Sequence, residues 1–341
     1  MAIPKALLLA ILGSICLCSS TVLSARELGD AAMVEKHEQW MAKFNHVYKD
    51  STEKAQRFEV FKANVAFIES FNTENHKFWL GVNQFTGLTN DEFRAIKTNK
   101  GLRRNDARAP TGFEYNNVSN DALPAAADWR TKGVVTPIKD QGQCGKLLLG
   151  FFSRGCNRGH CEVEHREARL LEQELVDCDV HGVDQGCAGG EMHDAFKFII
   201  KNGGLTTEAN YPYTAQDGQC KTSTASNSVA TIKGYEDVPA NNESSLMKAV
   251  ANQPVSVAMD GGDVIFQHLS GGVMTGSCGT DLDHGIVAIG YGMTSDGTKF
   301  WLLKNSWGTT WGESGYLRME KDIYDKSGMC GLAMQPSYPT E

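Results

Sequence analysis

The chain has 341 residues, 41% of them hydrophobic, which is enough for one large domain or two smaller ones with a sizeable core. Its formal net charge of −8 argues against a nucleic-acid-binding protein, because proteins that bind phosphate backbones are usually basic. The acidic balance otherwise concerns solubility and says little about the fold.

Residues 1–25 have the composition of a secretory signal. Lys5 supplies a positive start, an apolar run extends from Ala6 to Cys18, and small residues follow up to Ala25. This run is shorter than the roughly 20 residues that a membrane-spanning helix needs, so a cleaved signal is favoured over an anchor and no membrane association is expected. The sequence predicts entry into the secretory pathway and leaves open vacuolar or lysosomal delivery versus release from the cell.

From Glu27 to about Ile96 apolar residues recur at helical spacings, which predicts amphipathic helices. One set of residues lies at fixed offsets: Glu53, Arg57, Phe61, Asn64, Ile68 and Asn72. This set resembles the interspersed motif of cathepsin-L-like propeptides. An ordinary amphipathic helix would explain its aromatic and aliphatic members but not its two asparagines.

A second run, Gly81-Val-Asn83-Gln-Phe85-Thr-Gly87, resembles another motif of the same propeptides. Relatives usually have aspartate where Gly87 stands. A salt bridge or helix cap is therefore expected to be missing here, which would alter the stability of the propeptide or its response to acid.

Residues 97–122 are polar, basic at first and then rich in asparagine and alanine, which is typical of a linker open to proteolysis. The sequons Asn117-Val-Ser119 and Asn242-Glu-Ser244 predict glycosylation at Asn117 and Asn242. We interpret residues 26–122 as an inhibitory propeptide, helical over 27–96, followed by this linker.

From Leu123 onward several short runs resemble the mature part of papain-family, cathepsin-L-like cysteine proteases. They are Asp128-Trp129-Arg130, Val135-Thr-Pro137, Pro137–Gly145, Glu172–Asp179, Gly186–Gly190 and Asp194–Ile200. After about Ala230 the pattern changes to strand-like runs between glycine-rich turns. These runs are Val255–Met259, His284–Tyr291, Phe300–Leu303 and Gly315–Met319.

The resemblance implies an α+β, papain-like two-domain fold over residues 123–341. It consists of a helical left domain, an antiparallel β-barrel-like right domain and a substrate cleft between them, preceded by the helical propeptide. It also implies protein or peptide substrates, inhibition by the chain's own propeptide and by cystatin-like inhibitors, a monomer, and no cofactor or metal.

Thiol proteolysis needs a thiolate, a base, a group that orients the base, and donors for the developing oxyanion. By resemblance, His284 in Asp-His-Gly would be the base and Asn305 in Asn-Ser-Trp-Gly would fix its tautomer. Gln141 would donate to the oxyanion, and Trp307 would shield the bond between His284 and Asn305.

The resemblance also implies substrate contacts from Glu191, Met192, Asp283 and Trp307. Glu191 stands where relatives often have an apolar or aromatic residue. Its carboxylate would either favour basic side chains in the substrate or face solvent, and the sequence leaves both open.

The nucleophile is missing. Where the family continues into Cys-Trp-Ala-Phe-Ser, residues 146–154 read Lys-Leu-Leu-Leu-Gly-Phe-Phe-Ser-Arg, and Leu147 occupies the position of the catalytic cysteine. A leucine side chain has no lone pair and no labile proton, so we predict an inactive protein. The resemblance places Cys144 in a disulfide, and Cys156 lies more than two helical turns away, so neither is expected to substitute.

The abnormal segment spans residues 146–171 and has about the length expected of the family. The residues on either side keep the spacing of the family, while the residues inside the segment differ from it. This pattern favours a shift of the reading frame that a second shift near Leu171 corrects, either in the gene or in its determined sequence. Gly150, Gly155 and Gly159 would each weaken a helix by roughly 1 kcal/mol. Charged residues in a normally buried helix add to this, so we predict that the left domain folds poorly.

Of ten cysteines, Cys16 and Cys18 would leave with the signal. The resemblance implies the disulfides Cys144–Cys187, Cys178–Cys220 and Cys278–Cys330. Two alternative functions remain open: a non-catalytic protein that binds peptides or inhibitors, and a zinc protein. Ligands of the type that zinc prefers are Cys156, His160, Cys161 and His165, although their spacing is not a usual one.

Overall fold

The residues that the computed structural model describes are 30–98, 112–142, 144, 172–180, 184–225, 228 and 230–340. The predicted signal and the abnormal segment with Leu147 lie outside the described residues. The chain divides into two compact units. Unit 1 comprises residues up to Phe67 together with Thr86–Leu88, and unit 2 comprises Ile68–Phe85 and the chain from Thr89 onward.

Unit 1 is built from helix α1, residues 30–44, and the first part of α2, Ser51–Asn72. Its core is aromatic: the ring of Trp40 lies 5.1 Å from that of Phe61 and 5.6 Å from that of His37. Asn64 donates from Nδ2 to the carbonyl of Thr86 at 2.8 Å and to that of Leu88 at 2.9 Å. The first asparagine of the interspersed motif therefore fastens the separate segment 86–88 to helix α2.

The second asparagine of the motif has a similar role within unit 2. Asn72 donates to the carbonyl of Leu80 at 2.8 Å and accepts from the Leu80 N–H at 2.9 Å. Leu80 ends strand β1, Phe78–Leu80, which interrupts the helical pattern predicted over residues 27–96. The sequence could not indicate this strand because it forms by antiparallel pairing with β5, Leu269–Met274, a distant part of the chain.

Helix α3, Asn90–Lys97, follows and begins with a capping box. The Thr89 hydroxyl accepts from the backbone N–H of Glu92, and the Glu92 carboxylate accepts from the backbone N–H of Thr89. These bonds satisfy free donors of the first turn and fix where the helix starts. Its last residue, Lys97, is buried.

The further strands are β2 Ala127–Asp128, β3 Gly234–Asp237, β4 Val255–Met259, β5 Leu269–Met274, β6 His284–Met293, β7 Lys299–Lys304, β8 Tyr316–Glu320 and β9 Ser337–Thr340. Together with β1 they form a nine-stranded sheet in the order β1-β5-β8-β7-β6-β4-β9-β3, with β2 paired to β6. The order does not close into a barrel, and β5 and β8 pair in parallel, whereas the other strand pairs are antiparallel. The predicted combination of helical and β regions is confirmed.

The remaining helices are α4 Glu172–Cys178, α5 Met192–Asn202, α6 Thr222–Ala225, α7 Glu243–Asn252 and α8 Val264–His268. The apolar face of α5 packs in two clusters, one with Ala195 and Ile199 against Leu175, the other with Met192 and Phe196 against Ala258. In the described part of the chain, no helix combines the length and apolarity needed to cross a membrane.

Three disulfides join segments that lie far apart in sequence. They are Cys144–Cys187, Cys178–Cys220 and Cys278–Cys330, the pairs that the resemblance implied. The loop closed by Cys144–Cys187 contains the whole segment that departs from the family, so this disulfide restricts the unfolded chain there.

Candidate active site

His284 is the first residue of β6, and its neighbour in the adjacent strand is Met259 of β4. The sheet therefore fixes the backbone that carries the imidazole. Little space remains behind the ring, since a Cβ added to Gly261 would lie 2.8 Å from the Cβ of His284. The histidine is 3% exposed.

Asn305 follows the end of β7 and its backbone N–H donates to the carbonyl of Gly315 at 3.0 Å. Its Oδ1 lies 2.8 Å from Nε2 of His284 and also accepts the backbone N–H of Ser306 at 2.7 Å. The Ser306 donor identifies this atom as the amide oxygen, so Nε2 of the neutral imidazole carries the proton. Nδ1 is then the basic nitrogen, as a general base requires.

Burial lowers the pKa of His284 to about 4. The hydrogen bond to Asn305 works in the opposite direction, and the positive charge of Lys97 lowers the value further. The imidazole is therefore neutral at neutral pH in this state of the chain. A thiolate–imidazolium pair, the reactive form in thiol proteases, is disfavoured here.

Trp307 covers the bond between His284 and Asn305. Its ring centroid lies 4.6 Å from that of His284 with an angle of 30° between the planes. Edge contacts with Phe266 at 5.2 Å and Trp311 at 4.9 Å hold the indole in place. The indole is fully buried, so it keeps water from the hydrogen bond that orients the imidazole.

Gln141 lies on the loop that precedes Cys144 and is attached to the same segment as Asn305. Its backbone N–H donates to the carbonyl of Ser306 at 2.9 Å, and the Ser306 hydroxyl donates to its Oε1. Its Nε2 is buried and has no hydrogen-bond partner among the described residues. A buried donor without an acceptor is costly, and this amide is suited to a ligand oxygen.

Residues of the predicted propeptide contact this site directly. Gln84 donates from Nε2 to the carbonyl of Trp307 at 2.7 Å. The rings of Phe85 and Phe93 meet that of Trp307 edge-on, at 5.9 and 5.2 Å. The motif around Phe85 was found in the sequence, but its contact with Trp307 was not, because nothing local to either segment indicates it.

The other predicted substrate-contact residues are placed as follows. Asp283 is buried and accepts the Gly261 N–H at 2.7 Å, and burial raises its pKa to about 6. Met192 packs with Ala258 and with Leu282, and Leu282 lies two residues before His284 in the chain. Glu191 is partly exposed and its backbone N–H donates to Asp184 at 2.6 Å.

Two sets of predicted residues lie outside the described part of the chain. The first is Leu147, which occupies the nucleophile position. The second is the group of candidate zinc ligands, Cys156, His160, Cys161 and His165. Among the residues that are described, no group of three or more histidine, cysteine or acidic side chains is placed to hold a metal ion.

Sequence reasoning missed two residues of the site. Ser306 orients Gln141 and bonds Asn305, and Lys97 brings a positive charge near His284. Ser306 stands inside the Asn-Ser-Trp-Gly run, so its presence was a signal that could have been used. Lys97 carried no such signal, since it lay in a segment interpreted as the start of a linker.

A buried histidine bonded to an asparagine under a tryptophan, with a glutamine amide beside them, is the arrangement that a thiol-dependent hydrolase needs around its nucleophile. Comparison with known proteins specifies it. Residues 123–340 match the papain family of cysteine proteases, and residues 37–93 match the cathepsin propeptide inhibitor domain (I29). The chain belongs to the papain family and carries the propeptide inhibitor domain of its zymogens.

Individual relatives agree with this assignment. The chain is 72% identical over 342 residues to the senescence-specific cysteine protease SAG39 of Oryza sativa subsp. japonica, covering 100% of both chains. It is 49% identical to the senescence-specific cysteine protease SAG12 of Arabidopsis thaliana, covering 95% of this chain and 94% of that one. The structure of recombinant stem bromelain precursor matches with a TM-score of 0.80 and 42% identity, covering 91% of this chain and 99% of the other.

Proposed function

We propose that this protein is a papain-type zymogen that binds peptides but does not hydrolyse them. One observation carries the proposal: residue 147, where the family has its nucleophilic cysteine, is leucine. The supporting geometry is the arrangement of His284, Asn305 and Gln141 around the position where a substrate carbonyl would lie.

In an active relative of this architecture, the base would take the thiol proton on Nδ1 and return it to the leaving amine. Asn305 would hold the imidazole through Nε2, and Gln141 would donate to the oxyanion of the tetrahedral intermediate. Without a sulfur atom at residue 147 no acyl-enzyme can form, and the proton transfer of His284 has no partner. In another hydrolase, loss of the nucleophile alone lowered turnover by roughly 10⁶.

The propeptide supports the binding part of the proposal. Gln84, Phe85 and Phe93 lie against Trp307, so this chain presents its own segment to the wall of the site. A ligand that replaces this segment would meet the same wall. Cystatin-like inhibitors are the partners that the proposal predicts, and a monomer is the proposed state.

The proposal includes processing and modification. Removal of residues 1–25 and cleavage near residue 122 would leave a peptidase domain of 123–341 in a vacuole, lysosome or extracellular space. Asn117 and Asn242 are exposed, and Asn242 caps α7 through Oδ1, accepting from Ser245 at 3.0 Å. Because only Oδ1 is used, a glycan on Nδ2 would not disturb the cap.

The test compares two full chains. One is the chain as it stands, and in the other the segment 146–171 is restored to the family pattern, with Leu147→Cys followed by Trp-Ala-Phe-Ser. Both are assayed on a fluorogenic peptide at acid pH and titrated with a thiol-directed inhibitor. The restored chain should hydrolyse the peptide, and a matched His284→Ala variant of it should not.

Hydrolysis by the unmodified chain, with stoichiometric titration by the inhibitor, would overturn the proposal. Binding of a cystatin to the unmodified chain without hydrolysis distinguishes a functional binder from a chain whose left domain fails to fold. Near-UV circular dichroism and a cooperative thermal transition on the same sample provide the direct measure of folding. Transcripts sequenced across codons 146–171 test the frame slip.

A further inference from the structure

Lys97 is a buried lysine at the end of α3. It is 4% exposed, and its Nζ donates to the carbonyl of Gly142 at 2.6 Å. Taking an ammonium group out of water is unfavourable unless acceptors or opposite charges replace the water. The surroundings of Nζ therefore reveal what this part of the cleft can bind.

Two oxygen-bearing groups of the predicted peptidase domain lie near Nζ of Lys97. They are the Gly142 carbonyl, which accepts its hydrogen bond, and the Asp140 carboxylate, with Oδ1 at 3.8 Å from Nζ. The ring of Phe85, 5.2 Å from Nζ, belongs to the propeptide. Burial lowers the pKa of Lys97 to about 8, and Asp140 acts against this.

The acceptors are held in place by bonds in which Lys97 takes no part. Oδ1 of Asp140 accepts the Gly142 N–H at 2.9 Å, and Gln141 is bonded through its backbone to Ser306. Gly142 has φ +59°, and a Cβ there would lie 2.9 Å from the Cβ of Ala215. Glycine is thus required both by the backbone and by the space, and the turn fixes the direction in which the carbonyl points.

We propose that the Gly142 carbonyl and the Asp140 carboxylate form a subsite for a primary ammonium side chain beside Gln141, with lysine-bearing peptides as its ligands. Lys97 is the occupant that the propeptide supplies. The inference rests on the proposed function, because it assumes that the cleft of this chain takes peptides in place of its own segment.

The geometry favours lysine over arginine. One carbonyl at hydrogen-bond distance and one carboxylate at 3.8 Å suit a compact point charge. A guanidinium gains most from a carboxylate that it can meet with two parallel bonds, and Asp140 already uses Oδ1 to accept from Gly142.

The first experiment empties the subsite in the full chain. Lys97→Ala removes three methylene groups and the ammonium, a volume that n-propylammonium can refill. We expect n-propylammonium to raise the melting temperature of this variant in a saturable manner, and propan-1-ol, which has the same length without the charge, to raise it less. Adding Asp140→Asn should weaken the apparent affinity for the cation by about two- to fivefold, since the carboxylate is largely exposed.

Equal effects of the cation and the alcohol, or an affinity unchanged by Asp140→Asn, would overturn the subsite. If Lys97→Ala gives no cooperative transition, Lys97→Met keeps most of the side-chain volume and allows a second test. Asp140→Asn should lower the melting temperature of the parent chain but leave that of Lys97→Met unchanged. The same decrease in both chains would be a structural effect of Asp140 and would also overturn the inference.

These measurements are independent of hydrolysis. If the unmodified chain cleaves peptides, the proposed function fails while the cation effect stands. If the chain neither cleaves nor responds to n-propylammonium, the subsite fails while the proposed lack of activity stands.

Discussion

Gly87 lies directly against the indole of Trp40. A Cβ added to Gly87 would lie 2.5 Å from Cη2 and 3.2 Å from Cζ3 of Trp40. The indole cannot easily move, because it is buried and stacks on His46 with centroids 4.3 Å apart. At this position, where the propeptide motif usually has aspartate, the chain therefore has no room for a side chain.

This contact predicts that Gly87→Ala destabilises unit 1, by about 1–3 kcal/mol, as overpacking of a filled core usually does. Hydrogen exchange of α1 and α2 measures the effect locally. Gly112→Ala is the matched control, since nothing lies within 4 Å of a Cβ added there. Equal exchange rates in the two variants would show that Trp40 yields to the added methyl group.

Asn64 should contribute strongly to the stability of the contact between α2 and residues 86–88. Asn64→Ala removes two donors from the carbonyls of Thr86 and Leu88, for an expected loss of about 1–3 kcal/mol. Asn64→Asp, which keeps the shape but has no N–H to donate, should lose at least as much. Denaturant unfolding checks this, with the exposed Gln39→Ala as control; a stable Asn64→Asp variant would contradict it.

Asp184 should make the segment from Gly189 to Glu191 more stable in acid. Its pKa is raised from 3.8 to about 8 by burial and by the neighbouring Asp179. Between those values the native state holds a proton that the unfolded state has lost, so stability decreases as pH rises through this window. The free energy of unfolding, measured at pH 5 and at pH 8, should be lower at pH 8 in the parent chain. In Asp184→Asn this difference between the two pH values should disappear.

The surface substitution Asp121→Asn provides the control for replacing a carboxylate by an amide, since Asp121 is exposed. An Asp184→Asn variant with the same slope as the parent would mean that other carboxyl groups carry the effect.

His284 should titrate far below an ordinary histidine, with a pKa near 4, when its ring protons are followed by NMR. Lys97→Met should raise the midpoint by removing a nearby positive charge, and Asn305→Ala should lower it by removing an acceptor. Since the unfolded histidine binds a proton below about pH 6.5, this group lowers stability as pH falls from there toward 4.

His268 is also buried, and burial lowers its pKa to about 4, so its signal must be separated from that of His284. A His268→Gln variant makes that assignment. A midpoint of His284 that does not change in Lys97→Met would show that the charge of Lys97 does not reach the imidazole.

Local patterns predicted much of the sheet. Strand-like runs between glycine-rich turns predicted β4, β6, β7 and β8, and the family resemblance of residues 194–200 indicated α5. Strand β1 and the parallel pairing of β5 with β8 were not predicted, because they depend on partners far along the chain.

The interspersed propeptide motif shows, for single residues, that a sequence pattern does not identify partners far along the chain. Asn64 and Asn72 stood out in the sequence because no amphipathic pattern requires them. Only the structure shows their use: Asn64 bonds the backbone carbonyls of Thr86 and Leu88, and Asn72 bonds that of Leu80. A motif indicates that a residue matters, and the fold decides which atoms it meets.

The amino-acid sequence is enough to recognise the family and its propeptide, the acidic charge and the leucine at residue 147, because these are covalent facts that no folding changes. Tertiary structure alone decided that Oδ1 of Asn305 faces Nε2 of His284 and that the ammonium of Lys97 meets the carbonyl of Gly142. Such contacts join residues that are distant along the chain. Their geometry follows from how the sheet, its loops and α3 pack together, which periodicity within a single segment does not record.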